Sequence, residues 1–226
     1  MIKTNGIIIA FFFGSLIVPL NFNSAISQVT DQDKIEYKTV IIGSQEWMSE
    51  NLNVENYRNG DPIPQVQDDE QWKNLTTGAW CYYENNPENG KTCCKLYNWY
   101  AVNDSRGLAP NGWHIPSDAE FTKLTDYLGG EDVAGGKLKA PTVWKDPNSG
   151  ASNESGFTAF PGGYRNFNSL FGGLNEEGIF WSSKQYSQGN LAFVCYLEYS
   201  SSQVNNFVYG LDKKSGLSVR CLKNSQ

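Results

Sequence analysis

Gly112-Trp113-His114-Ile115-Pro116-Ser117-Asp118-Ala119-Glu120 opens a segment that closes at Gly129-Gly130. Ser117 can accept a hydrogen bond from the amide of Glu120, and Glu120 can accept one from the amide of Ser117, the reciprocal capping box. Pro116 precedes the cap and Phe121 follows it, where the two can pack as a staple. Phe121, Leu124 and Leu128 recur at i, i+3 and i+7, one apolar stripe of a helix. Gly129-Gly130 supplies a left-handed stop. The pattern predicts a helix from about Asp118 to Leu128, entered past an aromatic of the buried type, Trp113.

Outward from this helix the chain reads mostly as strands and turns. It carries 22 Gly, 7 Trp, 12 Tyr and 12 Phe, a balance that suits short strands joined by tight turns. Residues 28–36 read as a loose polar tail. Tyr37 to Met48 reads as a hairpin turned at Gly43-Ser44. Residues 53–79, with Pro62 and Pro64, read as long loops with a short helix around Glu70 to Asn74. Leu96, Trp99 and Tyr100 give Cys94 to Asn103 one apolar face and predict a second helix. Glu131 to Ser155 reads as loop. Strands are expected at Phe157–Phe160, Gly178–Ser182, Leu191–Ser200, Asn206–Leu211 and Ser218–Lys223, parted by turn signals such as Pro161-Gly162-Gly163. The order implies an α+β fold: antiparallel sheets, two short helices and long loops.

The first residues read as a signal peptide over 1–27. Lys3 gives a positive start, Ile7 to Leu20 is apolar, and Ala25 and Ser27 are the small residues before cleavage at Gln28. The run is short for a membrane span and contains Pro19. No Cys stands near the cleavage point, which disfavours a lipid anchor, and no second apolar stretch follows. The formal charge is −6, and loss of Lys3 leaves −7, so the chain has no electrostatic affinity for nucleic acid or anionic membrane.

Export permits disulfides. Five cysteines remain, Cys81, Cys93, Cys94, Cys195 and Cys221, so at least one is unpaired or intermolecular. Cys195 with Cys221 is the first expected pair, because both lie on strand-like segments. Cys81 with Cys93 or Cys94 is the second.

Six motifs then carry a resemblance. They are Gln45-Glu46-Trp47-Met48-Ser49-Glu50-Asn51-Leu52, Leu96-Tyr97-Asn98-Trp99-Tyr100-Ala101-Val102, Gly112 to Glu120, Phe157-Thr158-Ala159-Phe160-Pro161-Gly162-Gly163-Tyr164-Arg165, Trp181-Ser182-Ser183 and Gly216-Leu217-Ser218-Val219-Arg220-Cys221. In this order they resemble the Fibrobacter succinogenes major paralogous domain, over residues 37–223. The resemblance implies an exported bacterial protein of C-type-lectin-like architecture, distantly similar to formylglycine-generating enzymes. It permits binding or attachment at the cell surface, to a glycan or a surface protein, and implies no defined activity. Two positions depart from the family. Ala109 stands where the family often has Cys; if that Cys pairs with the terminal one, Cys221 has lost its partner and Cys195 takes the place. Cys93-Cys94 stands where Tyr-Gly is more usual, which leaves their pairing open.

The chemistry this sequence can support is narrow. His114 is the one histidine; it sits in a scaffold motif and reads as a packed structural residue. A metal site built on repeated His ligands is therefore unavailable, and no Gly-x-Ser-x-Gly elbow supports a Ser-His-Asp arrangement. An oxidase of the formylglycine-generating type would need an active cysteine pair, and no matching motif surrounds Cys195 or Cys221. Calcium needs six to eight oxygen ligands; the Glu-Pro-Asn and Gln-Pro-Asp tripeptides of calcium-binding lectins are absent, so no cofactor is assigned. Sugar binding by aromatic stacking has five candidates: Trp144, Tyr164, Tyr186, Tyr199 and Tyr209. Trp47, Trp99, Trp113 and Trp181 are assigned to the core.

Overall fold

The computed structural model describes residues 28–93, 95–187, 189–206 and 210–225. The segment 1–27 expected to be a signal peptide, Cys94 and Tyr209 lie outside the described residues. The elements in chain order are β1 (Gln28–Thr30), β2 (Glu36–Ile42), β3 (Gln45–Met48), α1 (Asp69–Lys73), β4 (Trp80–Cys81), α2 (Pro87–Cys93), β5 (Leu96–Tyr97), α3 (Trp99–Val102), β6 (Trp113–His114), α4 (Asp118–Tyr127), α5 (Glu131–Leu138), β7 (Gly162–Arg165), β8 (Phe171–Leu174), β9 (Glu177–Gln185), β10 (Leu191–Glu198), β11 (Val204–Asn206), β12 (Leu211–Asp212) and β13 (Leu222–Lys223). The fold is α+β, and every pairing between these strands is antiparallel.

Helix α4 forms as its caps dictate. The Ser117 side chain accepts from the amide of Glu120, and Glu120 accepts from the amide of Ser117 at 2.8 Å. Phe121 and Leu124 of its stripe are buried, as is Leu128 at its C-cap. The first hairpin, β2–β3, also forms as expected. The four assigned tryptophans, Trp47, Trp99, Trp113 and Trp181, are all buried.

Several expectations are corrected. The tail is not loose, because Gln28 to Thr30 pairs with β2 as an edge strand. The helix expected over Cys94–Asn103 is only α3. Leu96 and Tyr97 instead pair with β4, and Asn98 caps α3 by accepting from the amide of Ala101 at 3.0 Å. The short helix expected around Glu70 to Asn74 forms as α1; the loop expected after Gly130 contains α5 and Pro87–Cys93 forms α2, so the described residues hold five α-helices, against the two of the expected fold class. Phe157–Phe160 makes a single bridge, Ala159 to Lys139, and Gly162-Gly163 opens the hairpin β7–β8 instead of a turn.

Two buried layers meet on β9 and β10. Ile179, Trp181, Ala192 and Val194 point into one core cluster. Phe180, Cys195 and Leu197, of the opposite parity, point into a second. This two-period alternation with both faces apolar marks a strand pair covered on both sides. The C-terminal segment then threads between the sheets. Gly216 bridges Arg165, Leu217 bridges Tyr97 and Ser218 bridges Phe180. Leu222 pairs with both Trp47 and His114, so the last strand lies between β3 and β6.

That arrangement overturns the first expected disulfide. Cys195 lies in one core cluster and Cys221 in the other. Cys81 and Cys93 do not bond either; all four described cysteines are free and buried.

Candidate ligand-binding cleft

A cleft of about 550 Å³ opens on the first-cluster face of β9 and β10. Its floor is apolar, built by Ile179, Leu191, Leu211 and Leu217. Tyr164 from β7 and Tyr196 from β10 form its aromatic walls, and Phe167 stands at its rim, 48% exposed. Polar groups come from Asn166, Glu177, Asp212 and Ser215. An apolar pocket with a few convergent polar groups is the usual form of a small-ligand site.

Local sequence sets each of these groups. Tyr164 faces Gly172 directly across the β7–β8 pair. A Cβ at Gly172 would lie 2.7 Å from the Tyr164 hydroxyl oxygen, so the ring rests over bare backbone. An aromatic covering a cross-strand glycine is fixed by that contact. The hairpin tip is held by Asn166, whose Oδ1 accepts from the amides of Asn168 at 2.9 Å and Leu170 at 3.0 Å. Asp212 caps the following turn by accepting from the amide of Lys214 at 2.9 Å.

Glu177 is the electrostatic centre of the cleft. Burial pushes its carboxyl above the ordinary range; a hydrogen bond from the Tyr196 hydroxyl opposes this, and Glu198 and Glu176 add to it. The Tyr164 and Tyr196 hydroxyls are raised as well, first by burial and then by the negative charge of Glu177. One carboxylate thus acts on both aromatic walls.

The sequence of this chain identifies its lineage. A profile of the Fibrobacter succinogenes major domain matches residues 40–223. The chain belongs to that family. No curated protein and no solved structure matches it significantly.

In this Fibrobacter succinogenes major domain the five aromatic candidates separate. Tyr164 lines the cleft. Tyr186 packs edge-on against Phe193, with ring centres 5.2 Å apart, and Tyr199 lies under the Lys145 ammonium at 4.9 Å; neither lines the cleft. Trp144 is buried in the second cluster, its indole N–H donating to the carbonyl of Ala159 at 2.9 Å, so its ring is not a sugar platform. Tyr196, Glu177 and Asp212 were not among the expected residues. Their signal was weak: Tyr196 lies inside an expected strand with no sign of which face stays open, and Glu177 sits one residue before one.

The other chemistries resolve on geometry. His114 joins Glu120 at 2.9 Å through Nε2 and Asn224 at 2.8 Å through Nδ1. Ser117 Oγ donates to the other oxygen of Glu120 at 2.8 Å. The carboxylate therefore stands between serine and imidazole, the reverse of a triad order. Burial pushes Glu120 upward, but the Ser117 amide and hydroxyl and His114 outweigh it and hold the carboxyl below its ordinary value. The cysteines are unlike reactive ones. Burial pushes the thiols of Cys81 and Cys195 up to about 12 and that of Cys93 to about 11, and raises Cys221 further; reactive thiols are depressed and accessible. Among the described residues no cluster of three or more His, Cys, Asp or Glu could hold a metal, and no helix is long and apolar enough to cross a membrane.

Proposed function

We propose that this chain is an exported binding domain of C-type-lectin-like architecture, acting at or outside the cell surface, and that the Tyr164–Tyr196 cleft is its glycan site. The cleft carries the reading. Tyrosine rings offer flat apolar faces to the C–H face of a sugar, and the carboxylates and amide beside them accept and donate to its hydroxyls. The apolar leader Ile7 to Leu20 supports export.

A glycan array probed with the chain from Gln28 tests the binding. Binding to a defined glycan, lost in Tyr164→Ala and Tyr196→Ala variants that still unfold cooperatively, is the expected result. No hit across diverse plant and host glycans would count against it and favour a purely structural subunit. Mass spectrometry of the exported protein, with a new N-terminus at Gln28, checks the leader. The oxidase alternative is less favoured, because its cysteine pair would need to be adjacent and accessible, whereas Cys195 and Cys221 are buried in separate clusters.

A further inference from the structure

Among the described residues the charged groups lining the cleft are all anionic: Glu177 and Asp212 face it, and no lysine or arginine does. Cations are close in sequence but turned away. Arg165, next to Tyr164, is fully buried and donates to the carbonyls of Val66 and Gln67 and to Asp69 at 2.7 Å. Lys214 donates to the carbonyl of Lys73 at 2.7 Å, and the Lys213 ammonium sits over the ring of Trp99 at 4.9 Å. Lys145 is taken by Glu176 at 2.7 Å.

Glu177 is left among like charges. It stands directly opposite Glu198 in the β9–β10 register, an arrangement that destabilises a sheet. Among the described residues neither Glu177 nor Asp212 forms a salt bridge. A cleft with apolar aromatic walls and uncompensated carboxylates is complementary to an apolar-faced ligand that brings its own positive charge.

Resting on the reading of the cleft as a glycan site, we infer that its ligand is an amino sugar with a free amine, its ring between Tyr164 and Tyr196 and its ammonium toward Glu177 and Asp212. An ammonium donates three hydrogen bonds, and charge-assisted ones are the strong kind. The tyrosine faces add cation–π attraction. A uronic acid or sulfated sugar meets the same carboxylates as repulsion.

Calorimetry on the intact exported protein at pH 6 and low salt tests this, with a glucosamine tetramer, its fully N-acetylated form and an oligogalacturonate. The amine form should bind at least about tenfold more tightly than the acetylated form, and the uronate should not bind. Glu177→Gln should remove that preference by weakening the amine form more than the acetylated form, with Asp212→Asn as a second variant should the first fail to fold. Glu88→Gln, which removes an exposed charge on α2, should change nothing. Equal or tighter binding of the acetylated or acidic oligomer overturns the inference and leaves the glycan reading standing. If neither glucosamine form binds, array hits decide: an amino-sugar hit lost on N-acetylation supports the inference, hits confined to neutral or acidic glycans overturn it alone, and no hits overturn both.

Discussion

The Arg220 pocket and the Tyr164–Tyr196 cleft are built on neighbouring parts of one C-terminal segment, and they handle charge in opposite ways. Arg220 is fully buried. Its five N–H donors meet the side chain of Asn51 and the carbonyls of Met48, Phe157 and Thr158, and its guanidinium lies 4.3 Å over the ring of Phe157. The segments it joins are distant in sequence, so this cation holds β3, the 157–158 loop and the C-terminal segment together. Four residues earlier, the same segment supplies Gly216, then Leu217 to the cleft floor, where Glu177 has a tyrosine hydroxyl, a facing glutamate and, among the described residues, no ion-paired cation. A buried charge with all its partners is structure; a half-buried charge left without a counter-ion is an opening for a ligand.

The largest expected effect is at Arg220. Arg220→Ala strips partners from several buried acceptors and should lower unfolding free energy by about 3–5 kcal/mol, or prevent folding, as read by urea denaturation. Arg220→Lys should recover only part of this, since three rotatable donors cannot match a planar fork of five. A small loss in Arg220→Ala would break the contrast by showing that the pocket is not structural.

Alkali should come next. The thiols of Cys81, Cys93 and Cys195, ordinarily at 9.0, are pushed by burial to about 12, 11 and 12, and the Tyr57 hydroxyl goes from 10.0 to about 12. These groups stay protonated in the folded chain after the unfolded chain has ionised. Their contribution is complete below pH 9 and is lost as pH rises toward 12. Lys139 acts in the other direction. Burial lowers it to about 8 from 10.5, so it alone adds stability as pH rises between those values. The several thiols and tyrosines should dominate, and Tm should fall above pH 9. The same thiols give a direct check of the corrected disulfides: unreduced protein should titrate at least four thiols per chain in denaturant and almost none when native.

A smaller and local effect is expected at Gly172. The added methyl of Gly172→Ala would meet the Tyr164 hydroxyl oxygen at 2.7 Å and the ring carbon Cζ at 2.8 Å. The ring must swing off its seat, and ligand affinity should fall by roughly threefold to tenfold with the core unchanged, an energy of about 1 kcal/mol. Unchanged affinity would show that the Tyr164 wall does not contact ligand.

The scaffold was legible where chemistry is local. The Ser117–Glu120 box, the β2–β3 hairpin and the four core tryptophans follow from neighbours in sequence. Helix α5 was not, because Gly135 and Gly136 lower helix propensity. They are there for contact: a Cβ on either would lie 2.3 Å from a backbone oxygen, of Gln203 or of Gly150. The disulfides failed because strand-like character does not say which side of a two-faced sheet a cysteine occupies. The cleft was only partly legible, through Tyr164. Its remaining groups come from the β7–β8 hairpin tip, β9, β10, β12 and the C-terminal segment, and their convergence depends on register and long-range pairing, which a single strand's pattern does not contain.

The unfolding free energy of Glu177→Gln, measured by urea denaturation, decides most directly whether this cleft is built for a ligand. Removing one of two facing glutamates while keeping a hydrogen-bonding group for Tyr196 should leave the protein equally stable or more stable by up to about 1 kcal/mol. A loss of more than about 1 kcal/mol would show that Glu177 serves the fold, and would contradict the assignment of this cleft to a ligand.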